Sequence, residues 1–422
     1  MKKNKVDDVF GMSRDVPLNY VERENVDNVL KNNLERKKHI TIFGSSKQGK
    51  TCLRKHCLDE KEYILIQCSN KWDIADLNTN ILKRAGFEIT QSKKVTETGR
   101  AKILASLKAK LGFGEGSAGF EAENSKSTES VFTELELDSE DVNDIISALD
   151  NIGFKKYIIL EDFHYLKTEV QRDFAVELKS FHENSNLSFI VIGVWLDVNR
   201  LEIYNGDLAG RLISINADTW EEEQLKQVIE KGENLLNISF NGKFVDDLIK
   251  NSFQNVYIVQ EACHKICVNS GIDETQDTKK EIGENVDAYD LVKEIINNQS
   301  GRYNSFILHY AAGFQSTTLE MHKWILYPII MSDTEELSKG LTYRKIKEMI
   351  QSKHPIGTDL NSGNLTQALH FSAALQLTKN IQPIIIDYDE TNLKLHVVDK
   401  GFLIWIEYQD KNELLERAGI EN

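Results

Sequence analysis

The sequence predicts an α/β protein in which a parallel sheet covered by helices on both faces is followed by a helical lid and a C-terminal winged helix. Three observations carry this expectation. Short apolar runs at 39–43, 63–68, 157–160, 189–194 and 212–215 alternate with amphipathic helical stretches between about residues 20 and 216, the rhythm of strands buried on both faces. After Ala217 the pattern becomes helical until about residue 298. Near the end, two helical stretches precede an apolar hairpin pattern, the order of a winged helix. The expected units are a core at 1–217 interrupted by an insertion at 90–144, a lid at 218–300, and a helical segment with winged helix at 301–422.

The first apolar run, HITIF, leads into GSSKQGKT and then into a helical pattern. This is the strand, loop and helix setting that G-x-x-x-x-G-K-T requires. Gly44 and Gly49 let the backbone curl, so that the main chain of Ser45, Ser46, Lys47 and Gln48 and the helix start at Lys50, Thr51 and Cys52 face phosphate oxygens. Lys50 is expected to neutralise the β- and γ-phosphates of ATP, and Thr51 to offer its hydroxyl to Mg²⁺. A chance match on a glycine-rich turn is the competing reading, and the flanking strand and helix count against it.

Between 90 and 144 a basic stretch (GRAKILASLKAKL), a glycine-rich run (GFGEGSAGF) and an acidic tail break the rhythm. The expectation is a flexible surface loop, with a nucleotide-sensitive element touching a neighbouring subunit as the sharper alternative. The run YIIL at 157–160 then delivers Glu161 and Asp162 to a strand's C-terminal end, where ligands gather in open α/β sheets. One carboxylate would join the Mg²⁺ shell and the other would polarise the attacking water. By position Glu161 is the metal-side acid and Asp162 the water-side acid, although the reverse order stays open, as does a merely capping acidic pair.

Thr219-Trp220-Glu221-Glu222 reads as a capping box opening the lid, and the polar stretch 272–287 as a surface connection. At the end TYRKIKEMIQ reads as one helix, LTQALHFSAALQL as a second, and QPIIIDYDETNLKLHVVD as a hairpin turning at 389–392, before the apolar run 402–408.

A formal charge of −15 argues against a surface that attracts nucleic acid or anionic lipid as a whole. The five cysteines, odd in number and set in apolar patterns, suit reduced thiols. Cys52 with His56 and Cys263 with Cys267 fall four apart on expected helices but lack the further ligands that zinc needs. His164 is expected to pack beside the sheet. No uninterrupted apolar stretch approaches the length of a membrane span. The expectation is a soluble, cytoplasmic protein.

With GSSKQGKT, YIILEDFHYL, FIVIGVW and NGDLAGRL in this order, the chain resembles the AAA+ and STAND-type P-loop ATPases, nearest the origin-recognition branch. The resemblance covers about residues 14–270, with a looser match to the winged helix. It implies a P-loop NTPase core in which YVERE at 20–24, with Tyr20 and Val21, lies beside the adenine. It also implies that Arg211 reaches a neighbouring subunit's nucleotide, with Arg200 as second choice; the competing reading pairs Arg211 with Asp207 on its own surface.

Two departures qualify this. The fourth strand ends in Gly193-Val194-Trp195 with no polar sensor of the γ-phosphate, a role either absent or moved to Asp197 or Asn199. The lid stretch SFQNVYIVQEAC carries no arginine. Such a site is expected to bind ATP well and hydrolyse it slowly. The leading expectation is a nucleotide-controlled switch that forms homo-oligomers on ATP binding or recruits a protein partner, in a setting such as bacterial stress or phage-defence signalling. The alternatives are a DNA-binding initiator or transposition-helper ATPase, and a scaffold that binds nucleotide without turnover. The recognition stretch 364–377 holds no Lys or Arg, so duplex DNA is expected to bind weakly. Phe371, Leu375 and Leu377 instead suit packing of the winged helix on the nucleotide unit.

Overall fold

The computed structural model describes residues 3–12, 15–95, 101–108 and 132–421. The first eight strands are β1 (His39–Phe43), β2 (Tyr63–Gln67), β3 (Phe87–Val95), β4 (Ala101–Lys108), β5 (Phe132–Asp138), β6 (Tyr157–Glu161), β7 (Phe189–Ile192) and β8 (Leu212–Asn216). Five of them form an all-parallel sheet in the order β2-β6-β7-β1-β8. The period-2 alternation of a strand sorts their side chains onto two faces. Phe43, Leu160, Phe189 and Val191 pack on one face beneath the helices Ile74–Ala85, Val142–Asn151 and Thr168–Asn184. Ile40, Ile42, Ile159, Ile190 and Ile192 pack on the other beneath Val29–Leu34 and Lys50–Cys57. The five expected strands are present, each within two residues of its expected end.

The interruption after residue 90 is not a loop where it is described. β3, β4 and β5 form a three-stranded antiparallel sheet. Ile103 and Ala105 alternate inward and Ile103 faces Leu137 across the ladder, all three buried in the sheet's core cluster. Lys102 turns outward to Glu136 at 2.7 Å. The strand runs through KILAS, inside the GRAKILASLKAKL stretch whose lysines suggest a solvated segment. The glycine-rich run lies outside the described residues.

The lid contains the helices Glu222–Leu236, Gly242–Asn251, Val256–Asn269 and Ala288–Asn297. Its first helix starts later than the expected cap: the Glu221 amide donates to Gln224 Oε1 at 3.1 Å, while the Thr219 hydroxyl turns back to the Asn216 carbonyl. The polar connection contributes β10 (Lys280–Ile282), which pairs in parallel with β9 (Ile238–Phe240). Val6, Val9 and Phe10 also belong to this core. Gly232 is required there, since a Cβ would come within 2.1 Å of the Phe10 ring.

Beyond residue 300 come the helices Ser300–Ala311, Met321–Met331 and Thr334–Lys339, then β11 (Leu341–Thr342), the helices Tyr343–Lys353, Ser362–His370 and Ser372–Thr378, and the hairpin β12 (Ile386–Asp389) and β13 (Lys394–Val397). The three strands pair antiparallel in the order β11-β13-β12. The stretch 364–377 is two helices, not one, parting at Phe371. The second helix is aimed at the hairpin by Gln376, whose Oε1 accepts the Ile385 amide at 2.7 Å and whose Nε2 donates to the Ile386 carbonyl at 2.7 Å. This C-terminal unit docks on the sheet's C-terminal edge, where Leu377, Ile384 and Val398 bury Val194. Among the described residues no helix is long and apolar enough to cross a membrane.

Candidate nucleotide site

The loop after β1 curls through positive φ at Gly44 (139°), Lys47 (62°) and Gly49 (85°) before the helix Lys50–Cys57 begins. The backbone of this turn needs glycine at its two ends. Ser45 is fixed twice by Asp218, which accepts its amide at 2.9 Å and its hydroxyl at 2.6 Å. The Gln48 carbonyl accepts the indole N–H of Trp220 at 3.4 Å. Lys50 arches over the loop, donating to the carbonyls of Gly44 at 2.8 Å and Ser45 at 2.5 Å.

Glu161 ends β6 two strands away from the loop, yet meets it: the Thr51 hydroxyl donates to Glu161 Oε1 at 2.7 Å. This hydroxyl and carboxylate pair of hard oxygen donors fits Mg²⁺. The other carboxylate oxygen lies 3.3 Å from Arg54, a buried guanidinium one turn along the loop helix whose Nη1 donates to the Tyr63 hydroxyl at 2.5 Å. Asp162 differs in each respect. It sits in the left-handed region (φ 57°), accepts the Gln67 side-chain amide from β2, and lines the cleft with Lys50 and Thr51. Burial, and then the neighbouring Glu161 charge, push its carboxyl above the usual carboxylate range.

The cleft has a volume of about 330 Å³ and lies between the sheet edge and the lid. Tyr20, Val21 and Cys52 line it, and so do the lid's Trp220, Tyr257 and Gln260. The Tyr20 hydroxyl donates to Asp27 at 2.5 Å, which fixes its ring at the cleft's apolar end. Lys47 is also tied to the lid, with its ammonium 3.9 Å from the Tyr257 ring centroid.

The arginines behave differently from one another. Arg211 precedes β8, and β8 runs parallel beside β1, so it lies at the N-terminal end of the strands, opposite the end that carries the phosphate loop. It pairs with Glu183 at 2.7 Å and donates to the Asp207 backbone carbonyl, while the Asp207 carboxylate goes to Lys179. Arg200, the second choice for reaching a neighbour, is buried and bound to Asp197 and Asp387, so it cannot leave its own chain. Asp197 is turned to that ion pair and away from the cleft, and Asn199 is exposed. Neither lines the cleft beside Lys50 and Thr51.

Asp218, Arg54 and Gln67 had no motif to mark them. Only their neighbours in sequence, the ends of β8 and β2 and the loop helix, placed them near the site.

Burial lowers the Lys50 ammonium to about 8, against the opposing pull of Asp218, Asp162 and Glu161. Phosphate favours the charged form, so nucleotide binding near pH 8 should take up a proton, and affinity should fall as pH rises through this value. Calorimetric binding enthalpies in two buffers of different ionisation enthalpy should then differ in proportion to that difference. Equal enthalpies would reject the shift.

No family model matches the chain, and no curated protein sequence matches it. Among solved structures, the Walker-type ATPase of Pyrococcus abyssi is similar at 12% identity and a TM-score of 0.50, covering 94% of this chain and 99% of that one. The Aeropyrum pernix ORC2 protein in its ADPNP–ADP complexes follows at 12% identity and a TM-score of 0.46 (97% and 96% covered). The Aeropyrum pernix ORC1 protein in complex with DNA follows at 10% identity and 0.44 (98% and 97%). The first likeness is one of fold. Together with the sheet order and the curled loop it defines the fold as that of a P-loop ATPase: a parallel-sheet core carrying a helical lid.

Proposed function

We propose that this protein is a cytoplasmic ATP-binding switch of low turnover, in which nucleotide governs the docking of a C-terminal winged helix and thereby the oligomeric state or a protein partner. One observation carries the reading. The Ser46 amide, inside the phosphate loop, donates to the carbonyl of Val398 at 3.3 Å, so the C-terminal unit is bonded to the loop backbone that ATP must reshape. Lys47, next in the loop, reaches Gln299 at 3.4 Å and the lid's Tyr257. Any change in loop geometry is therefore felt by both the lid and the C-terminal unit.

In this reading the units are 1–217, 218–300 and 301–422. Tyr20 and Val21 flank the adenine, Ser45 anchors the loop through Asp218, loop amides from Ser46 to Cys52 hold the phosphates, and Lys50 bonds the β- and γ-oxygens. Thr51 and Glu161 hold Mg²⁺, which when bound neutralises phosphate charge. Asp162 takes the proton of the attacking water, because it faces the cleft while Glu161 is held by Thr51 and Arg54. Arg211 serves the nucleotide of an adjoining copy. Low turnover follows from the apolar Gly193-Val194-Trp195 end of β7 and from the diversion of Asp197. Duplex DNA binds weakly, since Arg344 and Lys345 on the helix Tyr343–Lys353 are paired with Glu348 and Glu336.

Size-exclusion chromatography with light scattering should show a larger mass or an altered hydrodynamic radius with a non-hydrolysable ATP analogue than with ADP. Identical behaviour with both ligands would reject the switch and leave a static scaffold.

A further inference from the structure

Three acidic groups and a histidine are gathered where the hairpin meets the sheet, well away from the loop. On the hairpin, Asp387 faces His396 across the ladder, and Asp389 lies two residues from Asp387 on the same strand face. That face is turned to Asp197, beyond the end of β7. Ligand atoms of Asp197, Asp389 and His396 lie within 4.8 Å of one another. Asp197 is 6% exposed and Asp389 3%.

The charge there does not balance. Asp197, Asp387 and Asp389 face two cations: Arg200, which pairs with Asp197 and Asp387, and Lys394, which stands opposite Asp389 across the ladder. One negative charge is in excess in a buried place, and buried charge is retained only when paired or bound to metal. The nearby titratable groups do not supply the difference. Glu390 pairs with Arg172 at the rim.

Unsatisfied groups point the same way. His396 Nδ1 is buried without a hydrogen-bond partner. A cavity of about 50 Å³ beside the cluster is lined by His164, Gln171, Asp197, Arg200, Asp387 and Asp389. His164, 3% exposed, has both ring nitrogens unpartnered, and Gln171, 4% exposed, has Oε1 unpartnered. That volume has room for water completing a metal's shell, with these groups as its partners. The donors are also pre-oriented: Asp389 Oδ1 accepts the amides of Thr391 and Asn392 at 2.9 Å each, and Arg200 Nε fixes Asp197 Oδ2 at 2.9 Å. Outer-shell bonds of this kind set ligand geometry in metal sites.

We propose that Asp197, Asp389 and His396 form a divalent transition-metal site that clamps the C-terminal hairpin to the nucleotide-binding sheet. Two carboxylates and a neutral imidazole suit a metal such as Mn²⁺ or Zn²⁺ better than Mg²⁺. The site is separate from the Mg²⁺ pair at Thr51 and Glu161, and it does not depend on ATP.

Mn²⁺ titrated into the nucleotide-free full-length protein, with free Mn²⁺ followed by electron paramagnetic resonance, tests this. One equivalent should bind per chain. His396→Gln and Asp389→Asn should each weaken it by about 10²-fold or more, since losing even an outer-shell partner of a ligand costs about 10–100-fold, while Glu161→Gln keeps it. Thermal melts check that each variant is folded, and either folded variant suffices. Failure of the wild-type chain to bind Mn²⁺, unchanged binding in a folded hairpin variant, or loss only in Glu161→Gln would each overturn the site. Those outcomes would leave a proton shared between Asp197 and Asp389 as the counter-charge.

Discussion

Replacing Lys50 with alanine should remove most ATP affinity while leaving the protein folded. The ammonium is the one side-chain charge that the loop itself brings over its own backbone, bonded to the carbonyls of Gly44 and Ser45. Phosphate oxygens would exchange these neutral acceptors for charged ones. Charge-assisted bonds contribute about 1.5–3 kcal/mol each, so two of them correspond to a loss of about 10²-fold or more. The fold should survive because the loop keeps its other anchors, the two bonds from Ser45 to Asp218 and the indole bond to Gln48. Calorimetric titration with ATP alongside a thermal melt separates the outcomes. Unchanged affinity in a folded variant would remove the phosphate site from this loop.

The core was legible because its signals are local. The central strands β6 and β7 are near-continuous apolar runs buried on both faces, and the phosphate loop is one contiguous motif whose glycines do what their spacing implies. What stayed hidden depends on partners distant in sequence. In the three-stranded sheet after residue 86, the inward Ile103 and Ala105 flank the apolar Leu104, so the stretch carries no apolar–polar alternation to set against the surrounding lysines. Arg54 looks like any helix-surface arginine until β6 brings Glu161 to it. Arg200 looked free to reach a neighbour because its partner Asp387 lies 187 residues further on. The N-terminal Val6, Val9 and Phe10 gave no hint of the lid helices that bury them. Local pattern thus located the loop and the acids, and tertiary contact decided which arginine was free to act elsewhere.

Arg211→Ala should bind ATP normally yet hydrolyse it poorly, and its activity should be restored in trans. In its own chain Arg211 lies at the opposite end of the strands from the loop, held by a half-exposed pair with Glu183 and a backbone carbonyl. Such a pair contributes little, so it can be given up when a second copy presents a nucleotide. An arginine reaching the γ-phosphate stabilises charge that develops as the bond breaks, an effect of about 10³-fold or more in related sites. Asp162→Asn should likewise spare binding and stop phosphate release, because that carboxylate acts in the chemical step alone. Mixing the two inactive variants should recover partial activity, since some interfaces then join an intact Asp162 to an intact Arg211. Activity per subunit in the unaltered protein should also rise with concentration. A purely local role for Arg211 gives the opposite pattern, near-normal turnover in Arg211→Ala and no gain on mixing. With Arg200 buried between Asp197 and Asp387, a dead mixture of co-assembled variants would exclude a shared active site built on either arginine.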